Sequence, residues 1–267
     1  MQKTILITGA TDGIGLETAK MLAGQGHYLL LHGRNPAKLA DVEIELMGLA
    51  TSGSVESYIT DMSNLKEVEA LAVVVAEKHD RIYVLINNTG IFKTPEPITA
   101  EGFDVRFVVN TIAPYLLTRK LLPLLGTSGR VVNLSSAAQA SVSTDALAGK
   151  SRLPDDMAAY AQSKLAITMW SRALAEELKE SGPVIVAVNP GSLLASKMVK
   201  EGFGVAGNDL SIGADILCRA ALSDEFANAS GQYFDNDAGR FNSPHADALD
   251  PQKCAEVVSS IESVLTE

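Results

Sequence analysis

The 267-residue sequence is poor in the residues that build staples and metal sites: it has two cysteines and four histidines, and only 5% of it is aromatic. Cys218 and Cys254 lie far apart, with no CxxC pair and no histidine near them. That excludes a disulfide framework and predicts two reduced structural thiols. His27, His32, His79 and His245 show neither HExxH nor any paired-ligand spacing, so no metal is expected. Basic charge is also scarce, since 22 Lys plus Arg face 32 Asp plus Glu, giving a net charge of -10. A nucleic-acid binder needs a surplus of cations against phosphate, and no basic run is present. No run of about 18 apolar residues occurs, so no membrane span is expected. Met1 to Gly9 becomes strand-like at once, without an apolar stretch followed by a cleavage site, and the cytoplasm is the expected compartment.

What the chain has is alternation. Short apolar runs at Thr4–Thr8, His27–His32, Val55–Thr60, Ile82–Asn87, Arg130–Ser135, Val184–Asn189 and Gln232–Asp235 are separated by longer segments of helical period. This pattern predicts an α/β fold, a parallel sheet of about seven strands with helices on both faces. Asn35-Pro36 and Asp250-Pro251 read as helix starts. Pro114 should bend or interrupt the helical pattern Thr99–Leu125. Asp155–Ser181 reads as a further helix, closed by Gly182-Pro183. The small-residue stretches 137–156 and 192–208 each follow a strand, where open α/β sheets bind ligands, and are the candidate substrate loops.

The first strand runs into Thr8-Gly9-Ala10-Thr11-Asp12-Gly13-Ile14-Gly15 and then a helix. Glycines allow close backbone approach, and a helix N-terminus offers free N–H groups to a pyrophosphate. In the first βα turn of an alternating chain this predicts dinucleotide binding by Gly9, Thr11, Asp12, Gly13, Ile14 and Gly15, in a single-domain, doubly wound Rossmann fold spanning residues 1–267. Arg34 ends the second strand, where an NAD site usually carries an acid, so NADP(H) is favoured over NAD(H). Asp61 and Met62 follow the third strand and are placed to meet the adenine.

Tyr160 and Lys164 are four apart on a predicted helix and share its face. A free tyrosine titrates near 10, too high for efficient proton exchange at neutral pH, and a neighbouring cation favours the phenolate. The pair is therefore a candidate general acid–base unit. Taken with Val131-Val132-Asn133-Leu134-Ser135-Ser136, Asn87-Asn88-Thr89-Gly90, Asn110 and Asn189-Pro190-Gly191, the sequence resembles the short-chain dehydrogenase/reductase family over nearly its whole length.

The resemblance implies a hydride transfer between nicotinamide and a carbonyl or alcohol substrate. Tyr160 would exchange the proton, Lys164 would lower its pKa and bind the nicotinamide ribose, and Ser136, rather than Ser135, would orient the carbonyl oxygen. Asn110 would hold a water linking Lys164 to solvent. Asn88 and Gly90 would support the central strand and approach the adenosine side, while Pro190, Gly191 and Leu193 would face the nicotinamide. A threonine often follows the Pro-Gly pair by four positions, but that place is Ala195, which leaves Ser196 as the candidate contact to the carboxamide. The 24 positions between Ser136 and Tyr160, together with Gly33-Arg34-Asn35 and Gly231-Gln232-Tyr233-Phe234, resemble the retinol-dehydrogenase-like branch.

A ketone, aldehyde or secondary alcohol is the expected small-molecule substrate, with Leu147, Leu153, Leu193, Leu194, Met198 and Phe203 available to line an apolar pocket or to pack the loops. Family members commonly associate through their long helices, and Ala158, Ala159, Ala161, Ala166 and Ala173 give one of these a small-residue surface, so a homo-oligomer is expected. The competing expectation is a nucleotide-binding regulatory protein of the same fold with little redox activity. The intact set Asn110, Ser136, Tyr160 and Lys164 argues against it.

Overall fold

The computed structural model describes residues 1–49, 53–195, 198–200 and 204–266. Its first half alternates β1 (Thr4–Ile7), α1 (Gly13–Gly24), β2 (Tyr28–Gly33), α2 (Pro36–Met47), β3 (Val55–Ile59), α3 (Leu65–Lys78) and β4 (Val84–Asn87). A helical turn α4 (Val105–Phe107), a wide π turn (Val108–Ile112) and α5 (Ala113–Leu125) lead to β5 (Arg130–Leu134). Then follow α6 (Thr144–Leu147), α7 (Asp156–Leu178), β6 (Val184–Asn189), α8 (Leu210–Leu222), β7 (Tyr233–Asp235), β8 (Arg240–Asn242) and α9 (Pro251–Thr266).

The strands form one sheet in the order β3-β2-β1-β4-β5-β6-β7-β8. The first seven are parallel, as expected, and β8 pairs antiparallel with β7. The count is eight rather than about seven. In β8 only Phe241 packs inward, its ring 5.1 Å from those of Phe226 and Phe234, so three residues with one apolar member leave no apolar run to read.

Because successive strand side chains face opposite ways, the central strands feed two cores. Leu6, Leu30, Leu85, Val131 and Ile185 meet α3, α5, α7 and α9 on one face. Ile5, Ile7, Leu29, Leu31, Ile86, Val132 and Val186 meet α1, α2 and α8 on the other. Coverage of both faces is why these strands are apolar throughout.

Helix ends follow the expected grammar, with Asn35 accepting from Lys38 N and Asp250 from Gln252 N. Pro114 interrupts the regular helical run as expected: it stands in the first turn of α5, and the ladder widens into the π turn just before it. The alanines expected to form an association surface are otherwise used: Ala159, Ala161 and Ala166 are buried, and Ala173 packs against the same core. In α9, Cys254, Val257 and Ile261 enter that core beside α7. Both cysteines are buried and free. Among the described residues no helix is long and apolar enough to cross a membrane.

Candidate active site

The glycine turn is built by close approach. Gly9 and Gly13 adopt φ of +68° and +57°, a left-handed region that disfavours any Cβ. A Cβ on Gly15 would stand 2.2 Å from Gly9 O and 2.4 Å from Asn88 Nδ2, so α1 seats directly on the end of β1. Asn88 fastens this seat, donating from Nδ2 to Thr8 O (2.9 Å) and Gly9 O (3.0 Å). His32 Nδ1 accepts from Gly9 N at 3.1 Å, and its Nε2 lies 3.0 Å from Thr60 O. Burial pushes the His32 pKa down, and the neutral ring with its proton on Nε2 satisfies both contacts.

Asp12 caps α1 by accepting from Gly13 N at 2.8 Å. The first-turn N–H groups of Ile14 and Gly15 have no partner within the helix. Thr89 Oγ1, beside Gly9, is buried without a hydrogen-bond partner. Free donors at a helix start and an orphaned hydroxyl fit a dinucleotide pyrophosphate. Replacing Gly15 with alanine should therefore disturb this seat, costing about 1–3 kcal/mol of stability and weakening nucleotide binding. Thermal unfolding and fluorescence titration would check both, and unchanged values would show that α1 can move away.

Just beyond β2 Arg34 is exposed, and its Nη1 stands 3.8 Å from Asp61 Oδ2. Asp61 does not cap α3, a role taken by Asn64; it accepts instead from Ser63 N and Ser63 Oγ. The Met62 side chain lies in the core, so only its backbone is available to a ligand. Sequence reasoning missed Lys38, whose Nζ is 3.6 Å from Asp12 Oδ2. The Asn35 cap is the signal that could have found it, because it sets Lys38 on the first turn of α2 beside the glycine turn.

The other end of the site gathers around α7. Lys164 is 4% exposed, and its Nζ donates to Leu134 O at 2.7 Å and lies 5.8 Å from the Tyr160 ring centroid. Ser135 is a buried clamp, its Oγ 3.0 Å from Lys164 O and 2.7 Å from Thr168 Oγ1. Ser136 is the serine whose hydroxyl favours the ionised form of the Tyr160 phenol, and its Oγ accepts from Ala138 N at 3.1 Å. The Tyr160 ring rests on Phe92 with centroids 5.2 Å apart, a neighbour that no spacing could reveal. Gly90, expected on the adenosine side, stands here instead. A Cβ on it would be 3.4 Å from Lys164 Nζ and 3.5 Å from Asn110 Oδ1, because the chain leaving β4 runs over towards α7.

Asn110 is fully buried, and both of its amide hydrogens are committed, to Ile91 O and to Ser163 Oγ, each at 2.9 Å. Its Oδ1 accepts from Ile91 N at 2.8 Å. The side chain thus anchors the loop after β4. Electrostatics also depart from the expectation. Burial pushes the Tyr160 phenol above its ordinary value, with the Ser136 hydrogen bond pulling the other way, and burial lowers the Lys164 ammonium to about 8. Each group is desolvated, so each favours its neutral form.

Pro190 and Gly191 follow β6, with Leu193 exposed at φ +52°. Leu147 and Leu194 are buried and Leu153 packs against the core, so these three hold the loops down rather than line an open pocket. Met198 lies near Gly90. Ser196 and Phe203 lie outside the described residues.

A family model for short chain dehydrogenase matches residues 3–204, and the chain belongs to that family. It is 31% identical over 265 residues to human retinol dehydrogenase 13, covering 92% of this chain and 80% of that one, which puts it in the retinol-dehydrogenase-like branch. An uncharacterised protein from Mycobacterium paratuberculosis is 27% identical with a TM-score of 0.82, over 99% of this chain and 94% of that one. A short chain dehydrogenase from Shigella flexneri complexed with NADP is 25% identical with a TM-score of 0.68, over 88% and 97%. The protein is thus an oxidoreductase of a family that binds NAD(P) and acts on CH–OH and C=O groups.

Proposed function

We propose that this chain is an NADP(H)-dependent carbonyl reductase or alcohol dehydrogenase in which Tyr160 is the general acid and base. The observation that carries the reading is the meeting of Tyr160, Ser136 and Lys164 beyond the end of β5, in the same protein as the glycine turn after β1. NADP(H), when bound, supplies or accepts the hydride. Tyr160, held protonated by its burial, gives a proton to the oxygen of a carbonyl that Ser136 orients by hydrogen bonding. The Lys164 ammonium then favours the phenolate left behind. The same groups run in reverse for an alcohol. The described parts of loops 137–156 and 192–208 flank this point and would close over a moderately hydrophobic ketone, aldehyde or secondary alcohol.

Steady-state nicotinamide absorbance across a carbonyl and alcohol panel, with NADPH and NADH in parallel, tests the activity, cofactor and substrate class together. No turnover with any member, alongside intact nucleotide binding, would overturn the catalytic reading.

Two cations, Arg34 and Lys38, flank the place of the adenosine ribose, each in a loose pair with a carboxylate. A 2′-phosphate would draw both away. Replacing Arg34 with alanine is expected to raise KM for NADPH about tenfold, a change of about 1.4 kcal/mol in the complex, with KM for NADH nearly unchanged. Equal effects on both nucleotides would remove Arg34 as the selector.

A further inference from the structure

We propose that Asp237, in the turn between β7 and β8, is a positioning residue that latches the Pro190-Gly191-Ser192 turn in the shape that receives the nicotinamide. The inference rests on the proposed cofactor site and adds a residue that the sequence motifs do not contain.

The Asp237 carboxylate gathers three donors. Its Oδ1 accepts from Ser192 N at 2.8 Å, and its Oδ2 accepts from Ser192 Oγ at 2.6 Å and Asn189 Nδ2 at 2.9 Å. These bonds hold the Asp237 pKa below its ordinary value although burial opposes them. The neighbouring Asn236 donates from Nδ2 to Pro190 O at 2.9 Å. Four residues in a row, Asn189 to Ser192, are therefore fastened to one hairpin turn or to each other, since Gly191 N also donates to Asn189 Oδ1 at 3.3 Å.

What the latch holds is the next residue. Leu193 has φ +52°, a conformation that a leucine adopts only when its surroundings over-determine it. On its far side a second clamp closes: Asn208 N donates to Leu193 O at 2.7 Å, and Ala195 N donates to Asn208 O at 2.7 Å. On its near side Asp237 acts through Ser192, whose carbonyl also accepts from Asn208 Nδ2 at 3.2 Å. Releasing that side lets Leu193 fall back to negative φ, which reshapes the surface offered to the nicotinamide. The β7–β8 hairpin, outside the family motifs, thereby acts on the cofactor end of the site.

The test uses the full chain with Asp237→Ala, Asp237→Asn and Ser192→Ala, read by fluorescence titration of NADPH and by the separate KM values for NADPH and a carbonyl substrate. Asp237→Ala should weaken NADPH about tenfold with little change in KM for the carbonyl. Asp237→Asn, which keeps an acceptor for Ser192 N, and Ser192→Ala, which removes one bond, should each cost about threefold or less. Glycine adopts positive φ freely, so adding Leu193→Gly to Asp237→Ala should recover much of the lost affinity, whereas general loosening of the fold would not be rescued. A folded Asp237→Ala protein with NADPH affinity within twofold of the parent overturns the latch, as does failure of the Leu193→Gly rescue. A parent chain that binds neither NADPH nor NADH overturns the cofactor site itself, and the latch with it.

Discussion

Replacing Tyr160 with phenylalanine is expected to lower kcat for carbonyl reduction by about 10²–10⁴-fold, the usual contribution of a placed general acid, while NADPH affinity and thermal stability stay close to those of the parent. The ring is retained, so its packing on Phe92 survives. What is lost is the hydroxyl, with its Ser136 bond and its proton. Direct titration of NADPH beside steady-state turnover separates the two outcomes. Retained turnover would mean that another group, or water, moves the proton, and the assignment of Tyr160 would fail.

Replacing Lys164 with methionine is expected to divide activity from stability. The phenolate loses its cation, and kcat should fall by about 10²-fold. Yet the buried ammonium is itself a cost. Holding it at about 8 against 10.5 in the unfolded chain means that folding at neutral pH works against roughly 3 kcal/mol. The unfolded chain binds the extra proton between those two values, so the parent should gain stability as pH rises through that window and carry the full penalty below it. Methionine removes the penalty and leaves Leu134 O without its donor, an offset of about 1–3 kcal/mol. The variant should accordingly be about as stable as the parent or more so at pH 7, with the balance shifting towards the parent from pH 8 to pH 10. Denaturant unfolding over that range checks the sign, and a pH-independent difference would show that Lys164 is not desolvated. The parent's own rate of reduction should decline above pH 8, as the ammonium is lost.

Much of the site was readable because its chemistry is local. The turn Gly9 to Gly15, Arg34, and Tyr160 with Lys164 depend on spacings within one strand-turn-helix or one helical turn, and each lies in the element expected for it. Of the two adjacent serines, Ser136 is the one that acts on the Tyr160 phenol, while Ser135 clamps Lys164 O. Phe92 and Asp237 were not readable, and Lys38 only through its Asn35 cap. Each reaches the site from a different element, and a contact across a fold leaves no period in the chain.

Strand order and helix placement follow from alternation, since apolar runs that must be covered on both faces permit few arrangements. The dinucleotide turn follows from glycine's lack of a Cβ, a property of the residue itself. Protonation, by contrast, was decided by assembly. Tyr160 and Lys164 are one helical turn apart in any helix, but whether their pKa values move together or apart depends on how much water the surrounding elements remove. Here Phe92 and the end of β5 close around them, and desolvation, a property of the packed whole, raises the tyrosine and lowers the lysine.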